Sequence, residues 1–478
     1  MATLIDNATI CDGPDARPGA VLIEGNRIAA VAWSEQERRD LAGRAGDVVD
    51  ATGHWLMPGM VDAHGHSYGV LLRGTENSLP LELWALHTTV YGRALDGPAS
   101  RAAVLLGAAE RMRGGITGLV DHSPMVAFAE HSIAAHEMSG LRVGYAAFLH
   151  DLSDYDLLGI ELPEALAALA PAPPPVDADA YSRRFAAIVE AARAGSGRVQ
   201  AQLGPNAPQR CSPAVWKLWR HLRDTHDVAV HTHLLETRAQ ASLNARWEGG
   251  LVAAMAREGM LEGLLTCAHG VWLTDPEREI LAAHDVTVSH NPASNLMLGS
   301  GVMPLHACER CGLRVALGTD SANTGGRHDL WGVMRLAMML PRRDGGDPLA
   351  WPTGRRMLAL ATEAGAAALG LHGRVGRIAP GQLADLVLVR QRAPGTLAFD
   401  AGVDAMVQHA GPEAVDSVMV DGTWTLRAGR ILAFDEAAML DDAVNQIAAL
   451  RERVAAQVPV LLAAMPVVTR RFERTCGW

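Results

Sequence analysis

Eight short β-branched or apolar runs recur through the middle of the chain, six of them ending on a polar residue and each followed by a longer stretch rich in Ala, Leu, Arg and Glu. They read LMPGMVDAH, TGLVDH, RVGYAAF, RVQAQLG, VAVHTH, LLTCAH, VTVSH and RVALGTD. Such alternation specifies strand–helix units, because parallel neighbours in a sheet are reached only by a crossover, usually a helix. Eight units predict an α/β fold in which the sheet closes on itself, a (β/α)8 TIM-like barrel over residues 56–374. The endings DAH, VDH, HTH, CAH, VSH and GTD put the polar residues at the C-terminal ends of the strands, the edge where such barrels carry their chemistry. Chance placement would also scatter histidines along helices and strand starts.

The two ends of the chain read differently. Residues 1–55 hold β-rich runs with turns, including AVLIEGNRIAAVA around a Gly-Asn pair, and residues 375–432 return to the same texture in ADLVLVR, DSVMVDG and WTLRAGRILA. Together they predict a small composite β-sandwich domain built from both ends. Residues 433–478 carry helical periodicity and predict a helical appendage whose helix stops near Pro466. The Pro-rich segment 171–183 predicts a loop or lid edge, since proline interrupts a helix.

Composition narrows the partners. A net charge of −11 with no Lys/Arg-rich run excludes the concentrated positive surface that nucleic acid or an anionic membrane requires. No uninterrupted apolar stretch of about 18 residues is present, and the opening MATLIDNATICDG lacks the basic-then-apolar order of a secretory signal. A cytoplasmic enzyme acting on a small molecule is the expectation. The six cysteines are too sparse for a disulfide framework, and the lone CxxC of Cys308 and Cys311 lies in helical text with no second pair near it.

His64 and His66 stand at i and i+2 in a strand, so both side chains face one way, into the barrel. His231 and His233 repeat the spacing, with Glu236 where that strand enters its loop. A single histidine in an apolar run is ordinarily a hydrogen-bonded core residue, but histidines at several strand ends aimed at one interior, with Asp320 added, form a donor set suited to Zn²⁺ or Fe²⁺. Such a metal brings the pKa of a bound water down to about 7.

In chain order the segments PGMVDAHGH, HTHLLE, AHGVWL, SHNPASNLMLGSG and LGTDS resemble the cytosine deaminase-like and triazine hydrolase-like branch of the amidohydrolase superfamily, and GRIAPGQLADLVLV resembles that family's return into its β domain. The resemblance covers nearly the whole chain. It implies a metal-dependent hydrolase with the metal on His64, His66, His233 and Asp320, Glu236 shuttling protons, and His269 bonding the water or the substrate, with Asp320 also available to take a proton. His231 then supports the ligands from behind. Binuclear relatives bridge two metals through a carboxylated lysine at the end of the fourth strand; here that strand ends AQLGPN, and the only lysine is Lys217. One divalent metal per chain is therefore expected, Zn²⁺ first, with Fe²⁺ or Mn²⁺ as alternatives.

The resemblance implies hydrolytic deamination of an aminated N-heterocycle such as a purine, pterin, pyrimidine or triazine. The same site could instead cleave an amide, carbamate or urea-type bond or remove chloride or alkylamine from a triazine, and a ligand-free scaffold is the remote alternative. Candidate substrate contacts are Trp84, which could stack on a planar ring, His122, Asn206, Arg210 and His290. Asn295 reads as a loop-shaping residue, and Gly65, between the two metal histidines where many relatives have a bulkier residue, as a widened or relaxed strand. A homo-dimer or homo-tetramer is expected.

Overall fold

The computed structural model describes residues 2–13, 15–76, 78–345 and 347–476; residues 477 and 478 of the expected appendage lie outside them. The chain opens with strands β1 (Thr3–Asp12), β2 (Asp15–Glu24), β3 (Arg27–Ala32), β4 (Asp47–Asp50) and β5 (His54–Pro58). The hairpin β2–β3 turns at the Gly25–Asn26 pair, where Gly25 takes a φ of 62° that a side chain would disfavour.

Eight parallel strands follow: β6 (Met60–His66), β7 (Ile116–Ser123), β8 (Arg142–Leu149), β9 (Val199–Pro205), β10 (Val230–Leu234), β11 (Leu265–His269), β12 (Thr287–His290) and β13 (Arg314–Leu317). Each pairs with its sequence neighbour, and they coincide with the eight runs read from the sequence. The ring closes through β14 (Asp320–Ser321), which lies just beyond β13 and pairs Asp320 with Gly65 and Ser321 with His66. β6 to β8 are almost wholly buried because helices cover the outer face, which is why these runs read as continuously apolar. One irregularity matters later. Between the pairs Asp62↔Leu119 and Gly65↔Asp121, β6 holds one residue more than β7, a bulge beside the first two histidines.

After the barrel, β15 (Leu386–Arg390), β16 (Val415–Val420), β17 (Thr423–Arg427) and β18 (Arg430–Ile431) join β1–β5 in one nine-stranded mixed sheet. The two chain ends meet where β15 runs antiparallel to β5, over a core of Ile5, Ile10, Leu56, Leu386 and Leu388. Arg142, at the start of β8, ties this sheet to the barrel. Its guanidinium donates to Asp385 at 2.8 and 2.9 Å and to Asp421 at 2.7 Å.

Two sequence expectations are corrected. The segment 171–183 is not irregular throughout: Asp177 caps a helix, Ala178–Arg193, by accepting from the Ala180 backbone N–H, so only its proline-bearing part stays extended. Nor does Pro466 end the C-terminal helix. Helices span Glu436–Val454 and Gln457–Cys476, with Pro466 inside the second. Leu461, Ala464, Met465, Val468 and Phe472 make one face of that helix, packed with Leu83, Leu86 and Val90 and with Ile160 and Leu166. Burial of that face outweighs the backbone hydrogen bond lost at the proline. Among the described residues no single helix is long and apolar enough to cross a membrane; the two C-terminal helices reach that length only together, across a 65° bend.

Phe472 is fully buried in this contact. Phe472→Ala should remove about 3–5 kcal/mol of packing and loosen the terminal helix. Limited trypsin digestion should then cut at Arg470 and Arg471 well before the barrel, whereas an unchanged cleavage pattern would show that the helix is held by other contacts.

Candidate metal centre and active site

The end of β6 brings His64 and His66 to one side of the barrel mouth, and Asp320 reaches them from β14. Asp320 Oδ1 lies 3.4 Å from Nε2 of both histidines. His233, at the end of β10, places its Nε2 3.3 Å from that of His66. His64, His66 and Asp320 are buried and His233 nearly so.

The hydrogen bonds decide the tautomers. Nδ1 of His233 donates to the Asn206 carbonyl at 2.6 Å, and Nδ1 of His66 donates to the carbonyl of His122. A carbonyl only accepts, so both Nδ1 atoms carry protons, and in the neutral rings both Nε2 atoms present lone pairs. Two lone pairs 3.3 Å apart cannot bond each other and instead ask for a cation between them. His64 Nδ1 pairs with His231 Nε2 at 2.7 Å, and its buried Nε2, which has no hydrogen-bond partner, faces Asp320. Burial pushes His64 down to about 3 and drives His233 well below the ordinary imidazole value, so both are neutral donors. Three imidazoles and one carboxylate fit a divalent cation.

Two further groups face this centre. His269 Nε2 lies 3.5 Å from Glu236 Oε2 and 3.9 Å from Asp320 Oδ2. Its Nδ1 meets Asn295 Oδ1 at 2.9 Å, so Asn295 orients the imidazole rather than merely shaping a loop. In the same turn Ser294 donates to Asp320 Oδ2 at 2.6 Å. The sequence reading missed both supports, although they stand side by side in PASN. Glu236 is buried; burial first, then the charge of Asp320, raise its carboxyl well above the ordinary value, with Arg210 opposing. His269 and Asp320 hold φ angles of 76° and 61°, a region non-glycine residues seldom occupy, and such strain concentrates at functional sites.

A cavity of about 490 Å³ opens over this centre, with His66, His233, Glu236, His269 and Asp320 at its base. Trp84, Leu81, Phe148, Leu152, Tyr155 and Pro173 contribute a largely apolar wall. Of the five expected substrate contacts, Trp84, Asn206 and Arg210 line this cavity. The Arg210 guanidinium is already engaged, by Asp154 and by Asn206 Oδ1 at 2.6 Å, so it is not a free grip for a substrate carboxylate. His122 and His290 are buried and lie outside the lining. His122 bonds the Gly204 carbonyl at 3.2 Å, beneath the rings of His66 and His233. A strand end aims a side chain inward without deciding whether it reaches the space above the metal residues or the packing below them.

Other sequence features take structural roles. Cys311 donates to the Cys308 carbonyl, Cys308 is buried, and neither belongs to a ligand cluster among the described residues. Lys217 is exposed on the helix Pro213–His226 that follows β9, not at the end of that strand, where a bridging lysine would stand. Gly65 is explained by a neighbour: a Cβ there would sit 2.7 Å from the Arg111 guanidinium.

Comparison with known proteins agrees with this architecture. The amidohydrolase family model matches residues 55–425. A 5'-deoxyadenosine deaminase of Methanothermobacter thermautotrophicus is 35% identical over 91% of this chain and 95% of its own length. A 5-methylthioadenosine/S-adenosylhomocysteine deaminase of Thermococcus kodakarensis is 34% identical over 88% and 93%. Among solved structures, an adenosine deaminase from Xanthomonas campestris with bound zinc superposes with a TM-score of 0.83 at 27% identity, covering 94% of this chain and 98% of that one. With a barrel closed through the strand that carries Asp320, a histidine and carboxylate centre at its mouth, and a family match spanning most of its length, this chain belongs to the amidohydrolase family.

Proposed function

We propose that the protein removes the exocyclic amino group of an adenine nucleoside by hydrolysis, with a preference for nucleosides whose 5′ end is small and apolar. The observation that carries this reading is the placement of a buried carboxylate, Glu236, beside His269 and Asp320 at the floor of an apolar-walled cavity. The names of the relatives at 34–35% identity support the adenine ring and a 5′-modified nucleoside, and one of them also names S-adenosylhomocysteine, whose 5′ group is longer and charged. About 490 Å³ is also more room than a bare base needs, and its wall is largely aliphatic and aromatic, with Glu82, Arg93 and Asp154 also in the lining.

In this reading His64, His66, His233 and Asp320 hold one divalent metal per chain, Zn²⁺ by preference for this donor set. Held there, the ion would supply a water acidified to a pKa of about 7. The remaining work belongs to side chains. Glu236 takes a proton from the attacking water and passes it to the substrate, so that the departing nitrogen leaves as ammonia rather than as an amide anion. The raised affinity of Glu236 for a proton, a product of burial and of Asp320, suits a group that must hold that proton between two transfers. His269, held by Asn295, keeps its Nε2 lone pair over the same space and accepts from the water. Trp84, whose indole N–H donates to the Asn323 carbonyl at 3.3 Å, offers a fixed face for the ring to stack on.

Glu236→Gln keeps the size of the side chain and removes its proton affinity. It should lower kcat by about 10²- to 10⁴-fold while bound metal and KM stay near wild type; a kcat within a few fold of wild type would remove Glu236 from the mechanism. Treatment with a chelator should abolish turnover and added Zn²⁺ should restore it, with one metal per chain by elemental analysis. Across adenine, adenosine, 5'-deoxyadenosine, 5'-methylthioadenosine, guanine and an aminotriazine, ammonia release should be fastest, as kcat/KM, for the two adenosines with apolar 5′ ends. Release from guanine or the triazine alone would overturn the nucleoside assignment and leave the metal centre standing.

A further inference from the structure

Arg111 lies on the helix Gly97–Arg113, one layer behind the metal residues, and no part of the proposed chemistry uses it. It is nonetheless fully buried and paired with an equally buried acid, Asp62, through Nε at 3.2 Å. Replacing a buried ion pair of this kind by well-packed apolar side chains is often neutral or stabilising, so its presence is not explained by stability alone.

Three observations tie the pair to the metal centre. First, Asp62 grips the residue before Asp320: its Oδ1 accepts from the Thr319 backbone N–H at 2.8 Å and its Oδ2 from the Thr319 hydroxyl at 2.7 Å. Asp62 sits on β6, the strand of His64 and His66, so this clamp fixes the junction at which Asp320 pairs with Gly65. Second, Asp320 is held at φ 61°, a conformation its own backbone disfavours and its surroundings must impose. Third, the guanidinium has been given room. A Cβ on Gly65 would meet its Nη2 at 2.7 Å, and one on Gly107, in the interior of the Arg111 helix, would meet its Nη1 at 2.9 Å. Nη2 also lies 3.2 Å from His328 Nδ1, the nitrogen that sits 3.0 Å from the Thr319 hydroxyl.

We propose that Arg111 is a positioning residue for the metal centre: seated in the space left by Gly65 and Gly107, it anchors Asp62, which clamps Thr319 and so holds Asp320 in register with His64 and His66. The bulge in β6 belongs to the same device, because its extra residue falls between Asp62 and Gly65, which both face the guanidinium. This inference rests on the assignment of His64, His66, His233 and Asp320 as metal ligands. It also accounts for Gly65: a larger residue there would push the Arg111 guanidinium from its seat.

The test measures Zn²⁺ affinity by chelator competition, together with kcat and KM, in wild type, Arg111→Met, Thr319→Val, Gly65→Ala and the double variant G65A/R111M. Arg111→Met and Thr319→Val should each weaken Zn²⁺ binding by about 10- to 100-fold and lower kcat in the Zn²⁺-saturated enzyme with little change in KM. Gly65→Ala should weaken binding in the wild-type background and add nothing further in the Arg111→Met background, the non-additivity expected of residues sharing one space. Wild-type Zn²⁺ affinity in both Arg111→Met and Thr319→Val would overturn the proposal, and Thr319→Val decides it if Arg111→Met does not fold. Failure of the wild-type protein itself to bind Zn²⁺ would instead overturn the ligand assignment beneath it.

Discussion

The constraint on which the rest of this molecule depends is the confrontation of unprotonated donor atoms at the barrel mouth. The protons of His66 and His233 are committed to backbone carbonyls on the far sides of their rings, so their Nε2 lone pairs meet 3.3 Å apart. Burying polar atoms without partners is unfavourable, and burying lone pairs against each other more so. The arrangement persists because the scaffold imposes it, and it becomes favourable only with a cation between the donors. A closed parallel barrel can impose it because each donor sits at the end of a strand fixed by neighbours on both sides, with helices covering the outer face.

Around the donors runs a layer of groups that perform no chemistry and decide whether the chemistry is possible. Carbonyls of His122 and Asn206 set two tautomers, Asn295 sets a third ring, Ser294 and the Ser321 backbone N–H hold Asp320, and Asp62 grips the residue before it. A ligand displaced by one ångström is a poor ligand, so control over geometry matters as much as the identity of the donors. The left-handed backbones of His269 and Asp320 show where the scaffold holds the chain against its local preference. The cavity above is built by other means. Its wall comes from the loops and helices after β6 and β8, and the helix Gln457–Cys476 packs against both.

Much of this was legible in the residues because strand period and barrel polarity leave little freedom. Two histidines at i and i+2 must share a face, and polar strand ends must gather at one mouth. Reading stopped where one strand end has two possible fates. His122 ends its strand as His66 does, yet it lies under the centre, bonded to Gly204, while His66 faces the cavity. Arg210 stands in the wall, but whether it is free depended on Asp154, distant in sequence and without any signal that it would neutralise that charge. Pro466 looked like a helix end because local propensity favours one; a buried apolar face carried the helix through it.

The sequence by itself determined the closed eight-unit barrel, the meeting of the two chain ends in one sheet, and the residue types gathered at the mouth, because these follow from periodicity and from the order of elements along the chain. Only the tertiary structure decided which nitrogen of each histidine is free, which polar strand ends reach the cavity, and why Gly65 lacks a side chain. Those answers depend on partners tens to hundreds of residues away, such as Asn206 for His233, Arg111 for Gly65 and Asp62 for Thr319. A hydrogen bond or an excluded volume is a property of a pair, and folding alone chooses the pairs.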